Sequence, residues 1–434
     1  MNRDAIKQYL LDFQERPLPP LKPRTITIRD SLKIQVIIGA RRVGKTYLLY
    51  AKMDELIQIG VRKSQILYLN FENPALNDVT FQEFKDILEI HWSLFPEELD
   101  NNIYLFLDEP QAIEKWDIAI RGLYDDYRFP MFLTGSSSKL LGREIATSIR
   151  GRSLTITLLP LSLQEFLSFR GYSIDPAKMS TKTRAKITHL MDEFLSFGGF
   201  PEIVLEPDEG EKMRILQDYL DLTIYRDIVD RYGVKSGRLM KDFLRFIVTS
   251  ASKETSINKI YKTFKSQGIQ VTKTTLYDYF GMLEDALFLF PIRKFEYSLT
   301  KENLSIPKIY LNDVGFLKLY NIEDFGRKFE NTVCLELLHQ LQGDPLKHLH
   351  YWKSPDQKEV DFLITQGNVV MTAIQVCVSL VDGITKEREI RALLACLAHF
   401  QLTEGLIITL EEDGLEEIDG KQIRMVPFWK WALS

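Results

Sequence analysis

The chain has 434 residues, 45% of them hydrophobic and 26% charged, with a net charge of −5 at pH 7. These are globular proportions, enough for about three domains of roughly 150 residues. They exclude disorder over most of the length and a uniformly basic nucleic-acid coat. Cys334, Cys377 and Cys396 are widely separated, so no disulfide framework or structural zinc site follows, and a cytoplasmic location is expected. The opening MNRDAIKQYLLDF is too polar for a signal peptide, and no apolar run approaches the roughly 20 residues a membrane span needs, so no membrane association is expected.

Residues 1–33 predict a short helix and an extended arm, because Pro17, Pro19, Pro20 and Pro23 break helical structure. From 34 to 165, apolar runs alternate with amphipathic helices. The runs are IQVII (34–38), ILYLNF (66–71), IYLFLD (103–108), MFLTG (131–135) and LTITLLPL (154–161). Their near-continuous hydrophobicity predicts strands covered on both faces, in a parallel α/β sheet. Ser162 and Glu165 have capping-box spacing and open a helical region, 166–233. Residues 234–325 read as short helices followed by β segments. Residues 326–434 read as a further α/β unit.

The first strand runs into Gly39-Ala-Arg-Arg42-Val43-Gly44-Lys45-Thr46 and then a helix that starts near Tyr47. This G-x-x-x-x-G-K-T turn, between strand and helix, points successive backbone N–H groups at phosphate oxygens. Lys45 is expected on the β- and γ-phosphates of ATP, and Thr46 on Mg²⁺. IYLFLDE delivers Asp108 to the metal and Glu109 to the attacking water. In FLTGSSS, Thr134 and Ser136 are placed to sense the γ-phosphate or orient water. Arg152 is the first candidate for an arginine finger, with Arg150 and Arg143 as alternatives.

GARRVGKT, LNFENP (69–74), LDEPQAIEKW (107–116), FLTGSSS, Gly151-Arg152 and GGFPE (198–202) together resemble a prokaryotic group of AAA-type P-loop ATPases. In that group an ATPase module is joined to a winged helix and a restriction-endonuclease-like C-terminus. The resemblance implies an α/β fold with a helical lid, in which Gly199 and Pro201 close over the base. It also implies a homo-oligomer that acts on, or signals from, DNA. Gln111 and Trp116 match residues that typically follow the Asp-Glu pair.

Between Lys235 and Thr275 nine Lys/Arg face two Asp/Glu, a local charge of +7 that leaves about −12 for the remainder. Within this window a helix ends at Gly268, and Thr272 caps a second. Leu276, Phe280 and Leu283 are expected to bury one face. Lys273, Thr274 and Tyr277 are left outside, suited to a major groove, with Arg293 on a following wing. A protein partner is the alternative. The winged helix of the resembled group falls here.

The C-terminal unit resembles an endonuclease-like core with altered chemistry. Glu330 and Asp361 remain, while Gln375 stands for the acidic residue and Cys377 for the lysine. An amide is a poor ligand for a hard cation, so the fold is expected without the nuclease activity. The sequence thus reads as a Mg²⁺-dependent ATPase coupled to conformational change and acting on or regulated by DNA. The alternatives are a slowly hydrolysing nucleotide-gated switch or, less favoured, a metal-dependent nuclease.

Overall fold

The computed structural model describes residues 2–29, 31, 33–136, 151–175 and 180–434. Two compact units emerge, one of residues 1–158 with 285–287, the other of 159–284 with 288–434.

In the first unit β1 (Ile34–Ile38), β2 (Ile66–Asn70), β3 (Tyr104–Asp108), β4 (Met131–Gly135) and β5 (Ser153–Thr157) pair in parallel, in the order β2-β3-β4-β1-β5. β1, flanked by β4 and β5, is buried at every position, as its unbroken apolar sequence requires. All the strand ends that carry functional candidates point to one edge of this sheet. The opening helix, Arg3–Glu15, is capped by Asn2 and buries Ile6 and Leu10 in the cluster that holds Ile34, Leu69 and Leu105. It is built into this unit, although the sequence sets it apart with the proline arm.

β5 is shorter than the apolar run that announces it. Leu158 N still bonds Ile38 O, but Pro160 has no N–H to extend the ladder, and Leu161 N bonds Gly199 O within the second unit.

The second unit begins with the expected capping box. Ser162 Oγ accepts from Glu165 N, and the Glu165 carboxylate accepts from Ser162 N at 3.1 Å. The helix Thr181–Phe197 ends at Gly198, whose φ is +80°. A Cβ there would lie 1.7 Å from Asp313 Oδ1, so only glycine fits. Asp313 accepts from the N–H groups of Gly199 and Gly315, both at 2.7 Å, and burial pushes its carboxyl up to about 7.

A nine-stranded sheet spans the rest. It comprises β6 (Lys253–Glu254), β7 (Leu289–Lys294), β8 (Lys308–Leu311), β9 (Lys347–Lys353), β10 (Glu359–Gln366), β11 (Val369–Val376), β12 (Glu404–Thr409), β13 (Gly414–Ile418) and β14 (Lys421–Pro427). The order is β13-β14-β12-β11-β10-β9-β7-β8-β6. A sequence boundary at 325/326 separates β8 from β9, yet the sheet crosses it. β7 pairs in parallel with β9 through Arg293↔His350 and Lys294↔Tyr351. The helix Phe325–Leu341 packs Phe329, Val333 and Leu337 into the cluster that holds Phe362, Ile374 and Ile408.

Candidate functional site

The turn after β1 is shaped by two left-handed residues, Arg42 (φ +67°) and Gly44 (φ +99°), and Gly44 opens the helix Lys45–Gln58. Lys45 is buried and folded back, with Nζ donating to the carbonyls of Gly39 (3.0 Å) and Ala40 (3.1 Å) and lying 3.3 Å from Glu109 Oε1. Val43 is buried and its carbonyl accepts from Arg24, whereas Tyr47 is exposed. Arg41 pairs with Glu72 at 3.0 Å.

The ends of β3 and β4 meet this turn. Asp108 accepts from Thr46 Oγ1 at 2.8 Å, from Tyr68 OH at 3.0 Å and from Thr134 Oγ1. Thr134 Oγ1 also accepts from Glu109 N at 3.0 Å. Burial raises the Asp108 pKa, against the three hydroxyls. For Glu109 burial acts in the same direction, but the charges of Lys45 and Arg41 and the Gln111 amide outweigh it and lower the pKa. Glu109 Oε2 accepts from Ser136 N at 3.2 Å and from Gln111 Nε2.

Lys45, Thr46, Asp108, Glu109, Thr134 and Ser136 thus converge at one edge of the sheet. Tyr68 joins them, a contact that sequence reasoning missed. Its place in ILYLNF looks like an ordinary strand tyrosine. Only the register of β2 on β3, Asn70↔Asp108, puts its ring on the face of the carboxylate. Thr46 and Asp108 supply two hard oxygens, a hydroxyl and a carboxylate, which fit Mg²⁺ when phosphates and water complete its shell.

Arg152 does not join the site. It precedes β5 at the edge where β1 begins, since Ile34 N bonds Arg152 O, and its guanidinium pairs with Asp125 at 2.9 Å. Its guanidinium thus lies at the opposite end of β1 from the phosphate loop of the same chain. Arg143 and Arg150 lie outside the described residues. Pro201 opens the helix Pro201–Leu205 in the second unit.

On the helix Lys273–Asp285, Leu276 and Leu283 are buried, and Lys273, Thr274 and Tyr277 are exposed. Tyr279 takes the deep position expected of Phe280, which is half-buried, because the buried stripe turns slightly around the helix. Thr272 Oγ1 accepts from Thr275 N at 3.1 Å, the expected cap. Arg293 lies on β7 and donates to Asn303 O at 3.2 Å.

The C-terminal residues form a second polar centre. Lys308 Nζ lies 3.0 Å from Glu330, 2.7 Å from Glu359 and 2.9 Å from Asp361. Burial opposes its charge, but these three carboxylates outweigh burial and hold its pKa well above the usual lysine value. Glu330 is pushed by burial up to about 7. Asp361 accepts from Val376 N at 3.0 Å, and Gln375 Oε1 accepts from Asp361 N at 3.3 Å. Lys308 was not singled out in the sequence, because it stands upstream in β8. Cys377 takes no part in the centre. Its thiol donates to Ser379 O, in a mainly apolar cluster with Leu380 and Leu393.

Among the described residues no group of His, Cys, Asp and Glu is arranged to hold a metal ion by itself, and no helix is long and apolar enough to cross a membrane.

Residues 31–167 match the family described as AAA domain. Residues 188–324 and 325–431 match two domains of unknown function, DUF8612 and DUF4143. An AAA domain is consistent with NTPase activity and implies a nucleotide ligand. The uncharacterized protein MJ1544 of Methanocaldococcus jannaschii is 37% identical over 409 residues, covering 93% of this chain and 88% of its own length. An uncharacterized Haemophilus influenzae protein is 29% identical over 353 residues, covering 80% of this chain and 83% of its own. AMPPCP-bound DnaA from Aquifex aeolicus aligns with 65% of this chain and 86% of its own, at 16% identity and a TM-score of 0.24, a score too low to carry an argument. The chain therefore belongs to the same family as MJ1544 of Methanocaldococcus jannaschii, and it carries an AAA domain in its N-terminal part.

Proposed function

We propose that the chain hydrolyses ATP with Mg²⁺ and uses the nucleotide state to change the conformation of a DNA-directed second unit. The observation that carries this reading is the convergence of Lys45, Thr46, Asp108, Glu109 and Thr134 at one sheet edge. Lys45 leaves its two carbonyl partners for the β- and γ-phosphates. Glu109 accepts a proton from a water aligned with the γ-phosphorus. Thr134 and the Ser136 amide fix the carboxylates while this happens. Thr46 and Asp108 would hold Mg²⁺, which would neutralise charge on the phosphate oxygens. Phosphoryl transfer asks mainly for such positioning and charge neutralisation.

The DNA component rests on the +7 window and on the exposed Lys273, Thr274 and Tyr277. A winged-helix reading is supported by the order of three helices and a hairpin, Gly237–Thr249, Ile257–Ser266, Lys273–Asp285 and β7–β8, with β6 paired to β8. Gly199 and Pro201 act in this reading as the lid over the base. A homo-oligomer supplies any arginine finger in trans. A slowly turning switch is the second reading, favoured by the hold of Lys45, Gln111 and Ser136 on Glu109.

The test is steady-state ATP hydrolysis with and without DNA, on wild type, Lys45→Ala and Glu109→Gln. Hydrolysis is expected to vanish in both variants, with nucleotide binding kept only in Glu109→Gln. Unchanged turnover in Lys45→Ala overturns the ATPase reading. Tight binding with negligible turnover in the wild type favours the switch.

A further inference from the structure

The residue after Pro110 carries a function that the phosphate-loop pattern does not assign. Glu109 adopts a left-handed backbone (φ +53°), and Pro110 then starts a single 3-10 turn, Pro110–Ala112. Ala112 N closes that turn on Glu109 O at 3.1 Å. This reversal brings the Gln111 side chain back over the carboxylate that precedes it, where Nε2 donates to Glu109 Oε2. The opposite amide orientation would set two acceptors against each other, so the nitrogen end is the one bonded to Glu109 and the carbonyl oxygen is left beside it. That carbonyl oxygen, Oε1, is buried and has no hydrogen-bond partner among the described residues. A buried acceptor without a partner bears the cost of its lost hydration. Such an atom is a place for a donor.

The nature of the donor follows from the chemistry of the proposed reaction. Phosphate oxygens accept hydrogen bonds, so Oε1 has nothing to gain from the nucleotide's γ-phosphate. A water molecule has two hydrogens to give. One can go to Glu109, which is the proposed base, and the other to Gln111 Oε1, leaving a lone pair free for phosphorus. We infer that Gln111 is a water-positioning residue, whose amide holds Glu109 with one end and receives the attacking water with the other. The inference rests on the ATPase reading above and gives it the second contact that fixes the direction of attack. During attack, oxygen forms the new bond to γ-phosphorus and the bond from phosphorus to the bridging oxygen breaks onto ADP. The proton passes to Glu109. Gln111 gains and loses no atom. Two acceptors define the water's orientation, which one carboxylate alone leaves free to rotate.

The experiment uses the full chain as wild type, Gln111→Met and Gln111→Asn. Methionine keeps the length and removes both polar ends. Asparagine keeps the amide and withdraws it by one carbon. Thermal unfolding and ADP binding establish that each variant folds. Steady-state hydrolysis is then measured, with the affinities for Mg·ADP·beryllium fluoride, a ground-state mimic, and Mg·ADP·aluminium fluoride, which includes the in-line water. Expected is a fall in kcat of about tenfold or more in both variants, with KM and beryllium fluoride affinity within about twofold of wild type, and a parallel loss of aluminium fluoride affinity. Equal turnover in wild type and Gln111→Met overturns the inference. So does an equal loss for both mimics, which would make Gln111 a ground-state contact. A wild type that binds neither nucleotide nor mimic overturns the ATPase reading itself, and this inference with it.

Discussion

Tyr68 and Asp108 meet across neighbouring strands, the phenol of β2 donating to the carboxylate of β3 at 3.0 Å. Tyr50 OH lies 3.3 Å from Tyr68 OH, and the Phe13 ring of the opening helix packs on Tyr68 at 5.3 Å. The proposed metal carboxylate is therefore oriented by residues well outside the phosphate-loop pattern.

Tyr68→Phe removes that orienting hydroxyl and keeps the ring. The Mg²⁺ concentration for half-maximal hydrolysis is expected to rise about tenfold, in line with other outer-shell losses, while the KM for ATP changes little. A Mg²⁺ titration of the two proteins decides it. Superimposed curves would remove Tyr68 from this role.

Lys308→Met is expected to destabilise the chain by about 3–5 kcal/mol, the usual cost of leaving buried carboxylates without their cation. Protonation of Glu330, already raised to about 7, relieves part of that cost. The loss should be smaller at pH 6 than at pH 8. Urea unfolding at both values tests this, and a loss independent of pH would show that the carboxylates are not what Lys308 compensates.

Glu336 is pushed by burial to about 8, even though Leu163 N donates to it at 3.2 Å, and Asp313 is pushed to about 7. Both folded-state values lie above the unfolded ones, so the folded chain holds protons that the unfolded chain releases. Stability is then greatest below the unfolded values and declines as pH rises through the folded ones. Glu336→Gln should end that decline near pH 7 instead of near pH 8. Denaturant unfolding from pH 5 to 9 checks it, and an unaltered profile would contradict the burial argument.

Lys273→Ala combined with Arg293→Ala should weaken DNA binding and reduce the slope of log K against log salt by about 2, if each contacts one phosphate. Fluorescence anisotropy over a salt series measures both. Unchanged affinity and slope would direct the basic helix to a protein partner.

The parts of the molecule that were legible in sequence are those set by local rules. β1 to β4 announced themselves by unbroken apolar runs, and the phosphate loop by glycines at fixed spacing. Ser162 and Thr272 signalled their caps. The parts that were hidden depend on register and on distant packing. Tyr68 faces Asp108 only because β2 and β3 pair as they do. Lys308 stands more than 20 residues before Glu330 and reaches it only through the alignment of β8 with the helix Phe325–Leu341. The Gln111 return needs the left-handed backbone of Glu109, which no propensity favours. The resemblance to an endonuclease-like core sets Cys377 where that core has a lysine, but its side chain turns to Ser379 and the apolar cluster.

Because β9 takes hydrogen-bond partners from β7, the C-terminal segment is not portable at the point where the two family matches abut, after residue 324. A cut there would expose the edge of β9 and strip Glu330, Glu359 and Asp361 of the lysine that neutralises them. Inheritance has to carry the β7–β8 hairpin with the strands it borders. A chimera that joins a relative's hairpin to this C-terminus must match Lys308 to those acids, or it will trade one protein's ion cluster for another's.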